Sequence, residues 1–110
     1  MQDDIIKKLE KDFRASQKIL NAIGDETRQH LLCMMIRSIN HPRRVIELAE
    51  QTNLSRPAVS HHMQILKDAG LVKTRKKGTY IYYYLDPEKS EIERLLALSQ
   101  NILAAMGRYS

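Results

Sequence analysis

The amino-acid sequence predicts a mainly α-helical domain that carries one small β-hairpin. Two observations lead to this fold class. Apolar residues recur at helical spacing over five stretches, and the stretch after Gly70 is instead rich in β-branched and aromatic residues. With 110 residues and no internal repeat, the chain is expected to form a single domain over residues 1–110. We therefore expect about five helices and a hairpin around one core.

The first two helices are predicted from the N-terminal half of the chain. Apolar and charged residues alternate at helical spacing over residues 4–23, and Gly24 ends this helix. Asp25 is suited to cap a second helix, which stops before Pro42. The core-facing stripe of the second helix is expected to be Leu31, Leu32, Met35, Ile36 and Ile39.

A helix-turn-helix is predicted over residues 45–69. Asn53 is suited to the left-handed conformation of a tight turn after a short third helix, and Ser55 is suited to cap a longer fourth helix that ends at Gly70. Two helices joined by such a turn form a helix-turn-helix pattern. The inward stripe of the fourth helix is expected to be Val59, Met63 and Leu66.

Residues 71–85 are predicted to form a β-hairpin with Lys76, Lys77 and Gly78 as its turn. A last helix over residues 90–106 carries more apolar residues than one side of an exposed helix accounts for, and a partner chain would cover the excess. This order of elements is that of a winged helix-turn-helix, in which the hairpin is the wing.

The charge balance favours a polyanionic partner. Lys and Arg number 18 against 13 Asp and Glu, a net charge of +5. A phosphate-binding glycine loop and the strings HExxH, CxxC and GxSxG are all missing, which argues against an enzyme and a cofactor. Short apolar runs, an acidic N-terminus and a single cysteine predict a cytoplasmic protein that does not enter a membrane.

Double-stranded DNA is the partner that these features fit best. An α-helix fits the major groove, where Arg56 is suited to guanine and Gln64 to adenine. The basic tip of the wing is expected to lie along the backbone or the minor groove. The residues expected to contact DNA are Ser55, Arg56, Pro57, Ser60, His61, Gln64, Lys67, Arg75, Lys76, Lys77 and Tyr80.

Three segments resemble the ArsR/SmtB family of small dimeric repressors: GDETRQHLL (residues 24–32), ELAEQTNLSRPAVSHHMQILKDAGLVKTRKKG (residues 47–78) and YIYYYL (residues 80–85). The resemblance implies a homodimer, paired through the first and last helices, that binds an imperfect palindromic operator and releases it when an effector arrives. Arg44 departs from the family, which often has a small polar residue there. The interface residues expected are Leu9, Phe13, Leu20, Leu95, Leu96, Leu98, Ile102, Leu103 and Met106.

The effector is not identified by the sequence. Metal-sensing members carry paired cysteines near the third helix or carboxylate and histidine ligands in the last helix, and this chain has neither set, so we expect no metal at those sites. Cys33, near His30 and Arg37, is read either as a small hydrophobic residue at the core margin, which we favour, or as the thiol of a redox-responsive regulator. A winged-helix module that binds a partner protein is the other function class left open.

Overall fold

The computed structural model describes residues 2–109 and the side chains of residues 3–107. Over these residues it contains six helices and one two-stranded antiparallel hairpin, so the predicted winged helix-turn-helix is confirmed. The elements are α1 (Gln2–Ala15), α2 (Gln17–Ile23), α3 (Glu26–Arg37), α4 (Val45–Thr52), α5 (Arg56–Asp68), β1 (Val72–Lys77), β2 (Tyr80–Leu85) and α6 (Lys89–Tyr109).

The sixth helix arises because the predicted first helix is interrupted at Ser16. Ser16 lies outside helical geometry, with φ −100° and ψ 9°, and its side chain is fully buried. After this break α1 packs mainly against α6, whereas α2 packs against α3 and α5. Helical spacing continues on both sides of Ser16, so the sequence pattern carries no sign of the interruption.

The core lies between α2, α3, α4, α5 and the wing. Leu31 and Met35 of α3 are buried in it, as predicted, and Leu32 is half-buried. Ile36 and Ile39 are each 56% exposed, so their predicted place in the core is wrong. The reason is that α3 ends at Arg37, and the chain then turns toward β2.

The turn and the caps that place α5 follow the sequence prediction. Asn53 is left-handed, with φ 58°, and the Ser55 hydroxyl accepts a hydrogen bond from the N–H of Ala58 at 3.2 Å. Gly70 follows α5 with φ 79°. A side chain there would also meet Glu88, whose Cγ lies 3.2 Å from the position of an added Cβ.

The first strand of the wing extends further toward the tip than predicted. Lys77 pairs with Tyr80, so the turn consists of Gly78 and Thr79, and Gly78 has φ 64°. On the other side of β2, Arg43 exchanges two backbone hydrogen bonds with Tyr83, with N to O distances of 2.8 and 2.7 Å. This bridge holds the start of the helix-turn-helix against the wing.

The molecule is elongated, with extents of 56 × 25 × 22 Å. Its radius of gyration is 17.0 Å, against about 13 Å for a compact domain of this length. The extension comes from α1 and α6, which pack together, with a hydrogen bond from Asn101 Nδ2 to Asp12 Oδ2 at 2.8 Å. Among the described residues, every helix is too short or too polar to cross a membrane.

Candidate nucleic-acid interface

The back of α5 is anchored in the core and the opposite face is open to solvent. Val59, Met63 and Leu66, at positions i, i+4 and i+7, have no exposed surface. The structure therefore places the polar side chains predicted for this helix on one accessible face. The exposed residues are Ser55, Arg56, Pro57, Ser60, His61, Gln64 and Lys67.

Gln64 has an intramolecular partner on this face. Its Nε2 donates a hydrogen bond to Asp68 Oδ1 at 2.8 Å, so a contact between Gln64 and a base requires the amide to leave Asp68. Asp68 also adds a negative charge to the C-terminal end of the face. The i, i+4 spacing of the two residues is the sequence signal that could have revealed the pair. The N-terminal end of α5 is thus better suited to DNA than its C-terminal end.

An open groove of about 330 Å³ joins the N-terminal end of α5 to the wing. Arg56 and Ser60 line it from α5, and Thr79 and Tyr80 line it from the hairpin. Arg44, the residue before α4, also borders the groove. The helix and the wing therefore present candidate residues on one continuous surface.

Arg44 is a cationic residue of this surface that sequence reasoning did not select. Its guanidinium carbon lies 3.9 Å from the centroid of the Tyr80 ring, a cation–π geometry. Its backbone N–H donates to Glu47 Oε1 at 3.0 Å, and its side chain accepts no hydrogen bond from the start of α4. Its positive charge next to the helix-turn-helix could have indicated a DNA contact in the sequence. Its contact with Tyr80 could not, because that contact depends on the fold.

The tip of the wing carries the other predicted residues, and Arg75, Lys76, Lys77 and Tyr80 are all exposed. The guanidinium carbon of Arg75 lies 5.2 Å from the centroid of the Tyr84 ring. This contact leaves the charge of Arg75 at the surface, because an aromatic ring does not neutralise a cation. The wing tip is therefore a cluster of three accessible positive charges.

Lys73, at the base of the wing, forms ion pairs with two carboxylates. Its Nζ lies 2.9 Å from Asp86 Oδ2 and 3.0 Å from Glu88 Oε1. The hydrogen bonds to these carboxylates, first to Asp86 and then to Glu88, raise the pKa of Lys73 above its ordinary value. The positive charge available to a partner is therefore concentrated at the tip.

This arrangement agrees with the relatives of the chain. A family model described as "Bacterial regulatory protein, arsR family" matches residues 25–74. An uncharacterized HTH-type transcriptional regulator of Methanocaldococcus jannaschii is 37% identical over 85 residues, which cover 76% of this chain and 93% of that protein. The chain belongs to the arsR family. It is a DNA-binding transcriptional regulator.

Two further comparisons agree with this membership of the arsR family. The transcriptional repressor SdpR of Bacillus subtilis is 35% identical over 68 residues, covering 62% of this chain and 72% of that protein. The structure of an ArsR-like transcriptional regulator from Rhodococcus sp. RHA1 superposes with a TM-score of 0.72 and 25% identity, and the match covers 88% of this chain and 84% of that one.

The outer faces of α1 and α6 expose large apolar side chains in this arsR-family chain. Phe13, Leu96, Leu103 and Met106 of the predicted interface are exposed. Leu9, Leu20, Leu95 and Ile102 are half-buried within the chain. Leu98 is only 2% exposed and belongs to the packing of the single chain, so its predicted place in an interface is wrong.

Cys33 is exposed on α3. The favoured sequence interpretation, a small hydrophobic residue at the core margin, is therefore wrong, because residue 33 faces away from the stripe formed by Leu31 and Met35. Within residues 3–107, no three His, Cys, Asp or Glu side chains come together as a group able to hold a metal ion.

Proposed function

We propose that this protein is a homodimeric repressor that binds an imperfect palindromic operator. In each half-site α5 enters the major groove and the wing tip lies along the flanking backbone. The observation that carries the proposal is the shared groove, in which Arg56 and Ser60 of α5 stand beside Tyr80 of the wing. A helix about 10–12 Å wide fits a major groove about 12 Å wide, and its N-terminal side chains then reach the base edges.

The charge of the dimer supports binding to a polyanion. Two chains of +5 each give a net charge of +10. Neutralising phosphates with lysine and arginine releases condensed counterions, so affinity is expected to fall steeply as salt rises. Arg75, Lys76 and Lys77 are exposed and accessible to phosphates, and contacts with phosphates do not distinguish one base sequence from another.

The elongated pair of α1 and α6 supports a two-fold dimer. Leu96, Leu103 and Met106 are more than half exposed on α6, and Ile6 and Phe13 are 45% and 44% exposed on α1. A surface of this kind favours burial against a second copy. Two recognition helices related by a two-fold axis would read half-sites about one helical turn, roughly 34–36 Å, apart.

The experiment is a selection of bound duplexes from the native genome, followed by footprinting with matched variants. Arg56→Ala and Gln64→Ala are expected to relax base preference in the half-sites. Lys76→Ala, the control, is expected to weaken binding to all sequences about equally. If both α5 variants give the wild-type footprint and preference, α5 does not read the operator. If random duplex gives no complex even at low salt, the winged helix is a module for protein contact instead.

A second function, regulation through one thiol, is favoured by the exposure of Cys33. Peroxide can oxidise an accessible thiolate to a sulfenic acid, and the sulfenic acid can then condense with a small thiol to give a mixed disulfide and water. Maleimide labelling of the folded protein and operator binding before and after peroxide treatment test this idea, with Cys33→Ser as the control. A lack of labelling within an hour, or an equal peroxide response in Cys33→Ser, excludes it.

Added zinc or cadmium is expected to leave operator binding unchanged, and metal-induced release would refute that.

A further inference from the structure

We infer that Arg28 and His62 position the recognition helix for operator binding through a contact that exists only when His62 is neutral. The inference rests on the proposed function, because it concerns the orientation of α5 on DNA. Neither residue is among the predicted DNA contacts. Both act through the placement of the helix and are therefore positioning residues.

Arg28 connects three helices from a buried position. It lies in the first turn of α3 and is 8% exposed. Its Nε donates to the carbonyl oxygen of Ala22 at 2.9 Å, and its Nη2 donates to that of Asn21 at 2.9 Å. These carbonyls belong to the last turn of α2, where helical partners are missing. The planar guanidinium satisfies both with fixed geometry.

The third contact of Arg28 reaches the recognition helix. Its Nη1 lies 3.1 Å from Nδ1 of His62 on α5. A guanidinium carries only donors, so Nδ1 must accept this hydrogen bond and His62 must hold its proton on Nε2. The side chain of His62 is 18% exposed, which shields the contact from competing water.

The hydrogen bond from Arg28 to His62 is a directional contact, which the apolar packing of α5 against the core is not. Val59, Met63 and Leu66 bury apolar surface, and apolar contacts are not directional. The apolar stripe decides which side of α5 faces the core, and the hydrogen bond from Arg28 to His62 narrows the remaining rotation of α5 relative to α2 and α3. Ser60 lies two residues before His62, so this rotation decides where the exposed face meets the bases.

Protonation of His62 would oppose the contact. A proton on Nδ1 places a donor against the Nη1 donor of Arg28 and brings two positive charges within 3.1 Å. The other groups facing His62 are Asp25, whose Oδ2 is 4.0 Å from Nδ1, and His61, whose ring centroid is 6.0 Å away. The carbonyl oxygens at the end of α2, to which Arg28 donates, carry only partial negative charge.

Asp25 does not replace the lost contact. Its carboxylate already accepts a hydrogen bond from the backbone N–H of Arg28 at 3.0 Å, which caps α3. This hydrogen bond, opposed by desolvation and helped by the positive charge of Arg28, lowers the pKa of Asp25. The carboxylate therefore stays charged over the histidine range and holds α3, not α5. Attraction to Asp25 would pull protonated His62 away from Arg28, so the geometry that orients α5 would be lost.

The test measures affinity for a selected operator and for random duplex between about pH 8 and about pH 5, where histidine side chains titrate. All proteins carry His61→Asn, because protonation of the exposed His61 would itself strengthen binding to phosphates. We define selectivity as the operator affinity divided by the random-duplex affinity. In the His61→Asn protein that retains His62, selectivity is expected to fall about tenfold between about pH 8 and about pH 5, while the affinity for random duplex stays constant.

Two substitutions of His62 separate positioning from stability. His62→Asn places a neutral acceptor oxygen close to the Nδ1 position, so its selectivity is expected to be high and independent of pH. His62→Leu leaves Nη1 of Arg28 without an acceptor, so its selectivity is expected to be low at both pH values. Thermal unfolding of each variant identifies any loss of fold. If His62→Asn keeps the pH profile of its parent, the inference is wrong.

A measurement without DNA separates this inference from the proposed function. Nitrogen NMR of the imidazole rings is expected to show His62 with its proton on Nε2 at high pH, and Arg28→Met, which removes the donor to Nδ1, is expected to weaken that preference. A proton on Nδ1 would overturn the inference. If Arg56→Ala fails to alter selectivity while the NMR result holds, the placement of α5 on DNA fails and the Arg28–His62 contact survives. If Arg56→Ala lowers selectivity and His62→Leu does not, only the positioning role fails.

Discussion

Leu103→Glu is expected to dissociate the proposed homodimer. Leu103 lies on α6 with 69% of its surface exposed, the largest value among the big apolar residues of the described chain. Complete burial of such a side chain contributes about 1.5–3 kcal/mol, so covering its exposed part contributes roughly 1–2 kcal/mol per chain. Two-fold symmetry doubles this to roughly 2–4 kcal/mol. The dimer dissociation constant should therefore rise by about 30-fold or more.

Sedimentation velocity over a range of protein concentrations measures this change directly. The matched control is Ile36→Glu, which introduces the same charge at an apolar residue that is 56% exposed on α3, away from α1 and α6. The control is expected to keep the wild-type dissociation constant, and both variants are expected to remain folded at the temperature of the measurement. A Leu103→Glu protein with wild-type self-association, or an Ile36→Glu protein weakened as much, would refute the assignment of the interface to α1 and α6.

Three other changes test the wing, the core and the helix cap. Lys76→Ala is expected to lower the slope of log affinity against log salt by about one, measured with random duplex, and an unchanged slope would remove Lys76 from the phosphate contacts. Met63→Ala is expected to lower the free energy of unfolding by about 2–5 kcal/mol in urea titrations. Gln64→Ala, at an exposed residue, is expected to lower it by about 0.5 kcal/mol or less. Equal losses in the two variants would contradict the inward stripe of α5. Folding lowers the pKa of Asp25, so the stabilisation that its carboxylate gives is present above the ordinary pKa of 3.8 and is lost as pH falls through the folded pKa. Asp25→Asn is therefore expected to flatten the acid side of the plot of unfolding free energy against pH. An unchanged plot would contradict this.

The parts of the fold that depend on local chemistry could be predicted from the sequence. Asn53, Ser55 and Gly70 have conformational preferences that hold in any context, and they set the turn and both ends of α5. The spacing of Val59, Met63 and Leu66 gave the buried side of the helix and therefore its exposed face.

The features that depend on tertiary contacts could not be predicted. The break at Ser16 lies within an uninterrupted helical pattern and reflects the different partners of α1 and α2. Ile36 continues the apolar stripe of α3 but lies where the core has ended. Arg28 occupies a charged position that a pattern assigns to the surface, and its burial is explained only by the α2 carbonyls and His62 brought together by folding.

In the proposed complex, α5 enters the major groove with the wing beside it. Site-directed cleavage tests it most directly, with an iron chelate attached in turn to Ser60→Cys, Lys76→Cys and Leu103→Cys in a Cys33→Ser background, bound to a selected operator. Cleavage from position 60 is expected within the major groove of each half-site, cleavage from position 76 on the flanking backbone, and none from position 103. Cleavage of the operator from position 103 but not from position 60 would contradict the account.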